Sequence, residues 1–190
     1  MPEVALVFNG PIGAPATTRL RNAICTIANG GSTNNQIPSK FWLLISSTGG
    51  NVEEGFALYN LLRVLKFEVV TVNMGQIASI ANVVFLGGSY RIACPESYFH
   101  FHDFDWTFSA AHTMTRDNLA DISQLLEIGR TNKKAVFKSR TQLTDADFEA
   151  LQFLDHPMIK NATFAKDKGI VHEISLPNLP AGTPILNVDY

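Results

Sequence analysis

The stretch from Val69 to Gly88 constrains this chain more than any other. A run rich in β-branched residues reaches Gly75, and small and apolar residues then continue without proline until Gly87-Gly88. That order predicts a strand, a tight turn and a helix, with Ser79 at the helix start. Unpaired backbone N–H groups and the positive end of the helix dipole favour an oxygen there. From these residues alone, an N-cap or packing role is the simpler reading of the hydroxyl.

A chain of 190 residues is long enough to bury one sizeable core, and no segment reads as a linker, so one domain over residues 1–190 is expected. With 46% hydrophobic and 17% charged residues, the composition is that of a globular protein rather than a disordered one. The formal net charge is −2 with Lys and Arg scattered, which offers no basic face to nucleic acid. The apolar run Ile80 to Leu86 is interrupted by Asn82 and falls far short of the roughly 20 residues that span a bilayer. The start, Met1-Pro2-Glu3-Val4, lacks the positive region of a secretory signal. Cys25 and Cys94 are too few for a disulfide scaffold and too isolated for a zinc site, so a reducing cytoplasm is the expected compartment.

Val4 to Phe8 reads as a short buried strand, and Thr17 or Thr18 is placed to cap a helix carrying Leu20, Ile24 and Ile27. Phe41-Trp42-Leu43-Leu44-Ile45 is almost wholly apolar, as expected of a strand covered on both faces. After Gly49-Gly50, Asn51 and Glu54 form a capping-box-like pair that opens a second helix. Glycines before a helix also suit a phosphate, but neither the G-x-G-x-x-G nor the G-x-x-x-x-G-K-[ST] pattern is present. Tyr90–Cys94 and Tyr98–His102 read as short strands, the second placing His100 and His102 on one face. Two imidazoles with no definite third ligand are weak evidence for a metal, and none is expected. His112, His156 and His172 read as surface residues. A long helix is expected from Thr115 to about Ser139, with Leu119, Ile122 and Leu126 on one stripe and Leu125, Ile128 and Val136 on a neighbouring one. Lys133, Lys134, Lys138 and Arg140 fall near its C-terminal end, where the dipole favours cations. Thr144 to Asp147 fits a capping box, Thr163 to Lys168 a helix turn, Ile170 to Ile174 a strand, and the segment from Pro177 an extended tail.

Three motifs, SSTGGNVEEGFALYNLL, MGQIASIANVVFLGG and PESYFHFH, resemble in order and spacing the Clp protease proteolytic subunit family, ClpP. The resemblance runs from about Val4 to about Ile174. It implies an α/β fold of the ClpP and crotonase-like kind, built from repeated β-β-α units with a protruding handle helix at about residues 104–142 and an extended tail at about 177–190. It implies Ser79 as nucleophile, His102 as its base, Asp155 as the third triad member, and the backbone N–H groups of Gly50 and Ile80 as the oxyanion hole. Asp155 lies farther from Gly169 than its family counterpart does. Thr48 stands where proline is usual, and Asp103 where glutamine is common. The partners implied are a peptide or unfolded polypeptide substrate and further copies of the chain in stacked heptameric rings, with a Clp-type ATPase as a further candidate. Only three residues precede the strand from Val4, so an axial gate built from N-terminal residues is not expected, and docking to an unfoldase should be weaker or different.

A serine hydroxyl needs a base, imidazole titrates near neutrality, and a carboxylate fixes its tautomer. The order Ser79, His102, Asp155 differs from that of α/β-hydrolases, and G-x-S-x-G is absent. The expected activity is therefore a cofactor-independent serine endopeptidase. A catalytically idle ring subunit is the alternative, and a crotonase-type acyl-CoA enzyme a further one. A Ser–Lys peptidase lacks a lysine between Ser79 and His102.

Overall fold

A computed structural model describes residues 2–104, 115–150 and 156–188. The strands are β1 (Glu3–Asn9), β2 (Lys40–Ser47), β3 (Glu68–Ala78), β4 (Tyr90–Ala93), β5 (Tyr98–Phe101), β6 (Met158–Asn161), β7 (Glu173–Ile174) and β8 (Ile185–Asn187). The helices are α1 (Ala16–Ala28), α2 (Val52–Val64), α3 (Ala81–Leu86), α4 (Arg116–Arg140), α5 (Asp145–Ala150) and α6 (Ala162–Asp167). One mixed sheet runs β6-β5-β3-β2-β1-β8, with β4 pairing to β3 and carrying β7. Its pairings are parallel except β5 with β6. This is the α/β class that the sequence indicates.

Strand β3 is the axis of the fold, because its two halves pair with different neighbours. Val70–Asn73 lie beside β4, and Gln76–Ala78 lie beside β5. Between them the register against β2 shifts, from Ile45↔Asn73 to Ser47↔Ile77. The buried side chain of Asn73 stitches this irregularity: its Oδ1 accepts the Gly75 N–H at 3.0 Å and its Nδ2 donates to Tyr98 O at 2.9 Å. The strand therefore continues through Gly75 instead of turning there. A bulge re-aims a strand end at little cost when its backbone groups find partners.

Alternation along β1 and β2 sorts their side chains onto two faces. Val4, Leu6, Phe8, Phe41, Leu43 and Ile45 join the large core under the helices. Ala5, Trp42 and Leu44 join a smaller cluster with Val70, Val72, Ile92 and Cys94. Both faces are covered, which explains why β2 reads as a continuous apolar run.

Helix α2 opens as expected, with Asn51 Oδ1 accepting the Glu54 N–H at 2.8 Å. Thr115 and Asn118 form a full capping box on α4, so the long helix begins at the predicted place. Helix α1 differs: it starts at Ala16, Pro15 occupies the cap, and Thr17 is buried without capping. The tail also differs. It returns as β8, parallel to β1, with Ala5↔Ile185 and Val7↔Asn187 in register. Ile170 to Ile174 gives a strand of only two residues.

Candidate active site

Strand β3 ends at Ala78, and Ser79 turns the chain with φ of 55°, in the left-handed region that non-glycine residues avoid. Its N–H donates to His100 O at 3.1 Å, and its carbonyl accepts the Asn82 N–H at 3.2 Å. The carbonyl, not the hydroxyl, thus takes up a donor of the first turn of α3. The cap position falls on Ile80, which has no side-chain oxygen. The expected N-cap role of the hydroxyl is therefore absent, and Ser79 is a buried residue on a tight, unusual turn.

Two glycines lie against that turn. A Cβ on Gly49 (φ +85°) would lie 2.6 Å from Ser79 Cβ and 3.2 Å from the Ile80 nitrogen. A Cβ on Gly50 (φ +144°) would meet Ile12 O at 2.2 Å. Both backbone angle and space therefore call for glycine. Ile12 bridges this loop: its N–H donates to Gly49 O at 2.8 Å, and its O accepts the Asn51 N–H at 2.7 Å. The Gly50 N–H is not used by that bridge. Gly55 of α2 completes the packing, since a Cβ there would lie 2.2 Å from Ile80 Cγ1.

His102 leaves the end of β5, the parallel neighbour of β3. Ala78 is in register with His100, so Ser79 and His102 emerge side by side from the C-terminal ends of paired strands. His102 Nδ1 lies 2.6 Å from Asp103 O. A carbonyl only accepts, which assigns a proton to Nδ1; in a neutral ring that is the tautomer a general base requires. The His100 ring lies 5.1 Å from that of His102, and its pKa is lowered by burial first, then by His102 and Lys133. Among the described residues the Ser79 hydroxyl makes no hydrogen bond to His102. Such contacts often tighten only when substrate binds.

The Asp103 carboxylate is turned elsewhere. Its Oδ1 accepts the Phe104 N–H at 2.8 Å, and its Oδ2 lies 3.8 Å from Arg130 Nε. Asp155 lies outside the described residues, as do Asp105 and His112. Antiparallel pairing places Met158 opposite Phe101.

Three side chains of this region escaped the sequence reading. Asn73 holds the bulge, and Asn82 joins the two strand ends. Lys133, read only as a cation favoured by the dipole near the C-terminal end of the helix, is fully buried: Nζ donates to His102 O at 2.5 Å and lies 4.5 Å from the centre of the Phe104 ring. The signal was present, because Gly129, Lys133, Val136 and Phe137 share the buried face of α4 at helical spacing. His172, expected at the surface, is only partly exposed. It accepts the Arg91 N–H at Nδ1 (3.0 Å) and stacks on Tyr90 at 5.0 Å. His156 is exposed. Among the described residues, no three His, Cys, Asp or Glu side chains are grouped to hold a metal, and no helix is long and apolar enough to cross a membrane.

Comparison with known proteins gives one consistent result. The Clp protease family model matches residues 26–177. The ATP-dependent Clp protease proteolytic subunit of Oltmannsiellopsis viridis is 28% identical over 137 residues, covering 70% of this chain and 67% of that protein. The proteolytic subunit 2 of Treponema denticola is 35% identical over 63 residues, 32% of each chain. The chain thus spans about two thirds of the first of these relatives and a third of the second. A mutant of ClpP1 from Listeria monocytogenes shares the fold, with a TM-score of 0.73 at 19% identity, covering 92% of this chain and 91% of that one.

Proposed function

The chain belongs to the Clp protease family, and from that premise we propose that it is a serine endopeptidase acting on short peptides or unfolded polypeptides. One observation carries this reading. Ser79, held in a left-handed turn, and His102, with Nδ1 against the Asp103 carbonyl, leave adjacent parallel strands beside a glycine loop that touches Ser79. Ser79 Oγ attacks the scissile carbonyl, and His102 Nε2 takes its proton and returns it to the leaving amine. The N–H groups of Gly50 and Ile80 receive the developing oxyanion. Asp155 is assigned the carboxylate that supports the imidazolium.

The working form is a homo-oligomer. Leu125 and Ile128 on α4 are 48% and 56% exposed and share one stripe of the helix, an apolar strip that suits further copies of the chain, as in stacked heptameric rings. A reducing cytoplasm suits the free thiols Cys25 and Cys94. A Clp-type ATPase is the partner that family membership brings forward for folded substrates.

A catalytically idle ring subunit is the second reading, favoured by the Asp103 carbonyl 2.6 Å from His102 Nδ1, the nitrogen that a triad carboxylate such as Asp155 would take. Hydrolysis of a fluorogenic short peptide separates the two. Wild type should turn it over without ATP, and Ser79→Ala should lose at least about 10⁴-fold in kcat with an unchanged unfolding midpoint. Equal rates for wild type and Ser79→Ala would refute the nucleophile.

A further inference from the structure

Asn82 is the second residue of α3, where Ala81, Val83, Val84, Phe85 and Leu86 are all fully buried, and is itself 1% exposed. An apolar side chain would be the ordinary occupant of such a site. Its Nδ2 instead donates to Ser79 O and to His100 O, each at 3.0 Å. Both partners are carbonyls that only accept, so the amide nitrogen must face them. Its Oδ1 is then buried with no partner among the described residues. A half-satisfied buried amide is costly, and its retention in an otherwise apolar helix needs an explanation beyond packing.

The two donations supply that explanation. His100 O receives the Ser79 N–H at 3.1 Å and the Asn82 amide, so both of its lone pairs are directed at the serine turn. Ser79 is thereby tied on two sides to β5, two residues before His102. We propose that Asn82 is a positioning residue: it binds the ends of β3 and β5 together and so sets the separation of Ser79 from His102. The inference rests on the serine-peptidase reading above.

Asn82→Leu and Asn82→Ser test it. Leucine fills the same space, removes the unpaired carbonyl and donates nothing. Serine is smaller but keeps one hydroxyl within reach of the carbonyl three residues back. A packing role ranks leucine above serine, and the positioning role ranks serine above leucine. Asn82→Leu should lower kcat for a short peptide, and the rate of fluorophosphonate labelling, by about 30-fold to 100-fold, and Asn82→Ser by about 5-fold to 10-fold, each near the scale of one or two lost hydrogen bonds. KM should stay within about twofold, since substrate contacts are untouched. Amide exchange at Ser79 should quicken at least about tenfold in Asn82→Leu, because local opening becomes easier.

A larger loss of activity in Asn82→Ser than in Asn82→Leu would overturn the proposal. So would unchanged exchange at Ser79 in both variants. If Asn82→Leu does not fold, a wild-type kcat in Asn82→Ser overturns it equally. Wild-type protein that neither cleaves peptide nor takes label at Ser79 would remove the peptidase reading, and the exchange rates would then decide the tie between the strands by themselves.

Discussion

The two halves of β3 each lie beside a buried polar cluster, and the clusters are built on opposite terms. Beside the first half, Arg91 on β4 is 3% exposed and spends its guanidinium on four carbonyls: Ile170, Gly88, Arg140 and Gly169, at 2.6, 3.2, 2.8 and 3.0 Å. Arg140 adds bonds to Leu86 O and Gly88 O. Burial first, then Arg140 and Arg63, lowers the Arg91 pKa to about 10, so the group remains charged at neutrality. Every part of this knot supports fold closure. Beside the second half, Ser79 holds a left-handed backbone, Asn82 keeps an unpaired oxygen, and glycine is required at two adjacent positions. On the proposed reading, buried polarity here fixes the geometry of the candidate nucleophile, and the strain persists because the surrounding sheet over-determines it. The contrast teaches that the same strand carries a stabilising end and a strained end, the second being the working end if the proposed function holds.

Four experiments sharpen or break that contrast. The largest effect is expected from Asp155→Asn, which should lower kcat by up to roughly 10⁴-fold with little change in KM. A drop below about tenfold would mean that the Asp103 carbonyl alone orients the imidazole, far from the loss seen when a triad carboxylate is neutralised. Next comes Gly49→Ala. The new methyl collides with Ser79 at the working end, so activity should fall about 100-fold and stability by about 2 kcal/mol. Activity near wild type would show that the glycine loop does not bear on the serine.

Arg91→Met should invert the pattern. It leaves buried carbonyls short of donors and should cost about 3 kcal/mol in denaturant unfolding. Peptide turnover in the folded protein should stay within about threefold, because the substitution lies away from the reacting groups. A collapse of kcat without loss of stability would break the division between the two ends.

The smallest effect concerns His172 at the stabilising end. Its pKa is lowered from the usual 6.5, by burial first, then by Arg91, Arg140 and Lys166. Its Nδ1 accepts the Arg91 N–H, which requires the neutral ring. The unfolded chain therefore binds the proton more readily than the folded one, so stability is full above about pH 6.5 and declines as pH falls below it. Between pH 7 and 5 the unfolding midpoint should drop by about 2–4 °C, and His172→Gln should flatten that slope. His100, lowered in the same direction, leaves a residual slope in the variant.

The sequence disclosed what local chemistry decides. Asn51 and Thr115 cap their own helices through bonds to residues three positions on, and the apolar run of β2 reports burial on both faces. The Ser79, His102 and Gly50 motifs were legible as a set through resemblance. Long-range partners stayed hidden. Gly75 looked like the end of a strand because nothing local shows Asn73 reaching Tyr98 O. Ser79 looked like a cap because its left-handed turn depends on His100 O and Asn82. Lys133 looked like a partner of the helix dipole alone because its acceptor, His102 O, comes from another element. The tail gave no sign that β1 offered it an edge.

The central claim is that Ser79 is the nucleophile, and covalent mapping tests it most directly. Purified protein is treated with a fluorophosphonate, digested, and the modified residue identified by mass spectrometry. The account expects a single adduct on Ser79, formed in step with the loss of peptide hydrolysis and absent from His102→Ala. Hydrolysis that persists without an adduct at Ser79, or that is lost in step with an adduct on a different serine, would contradict it.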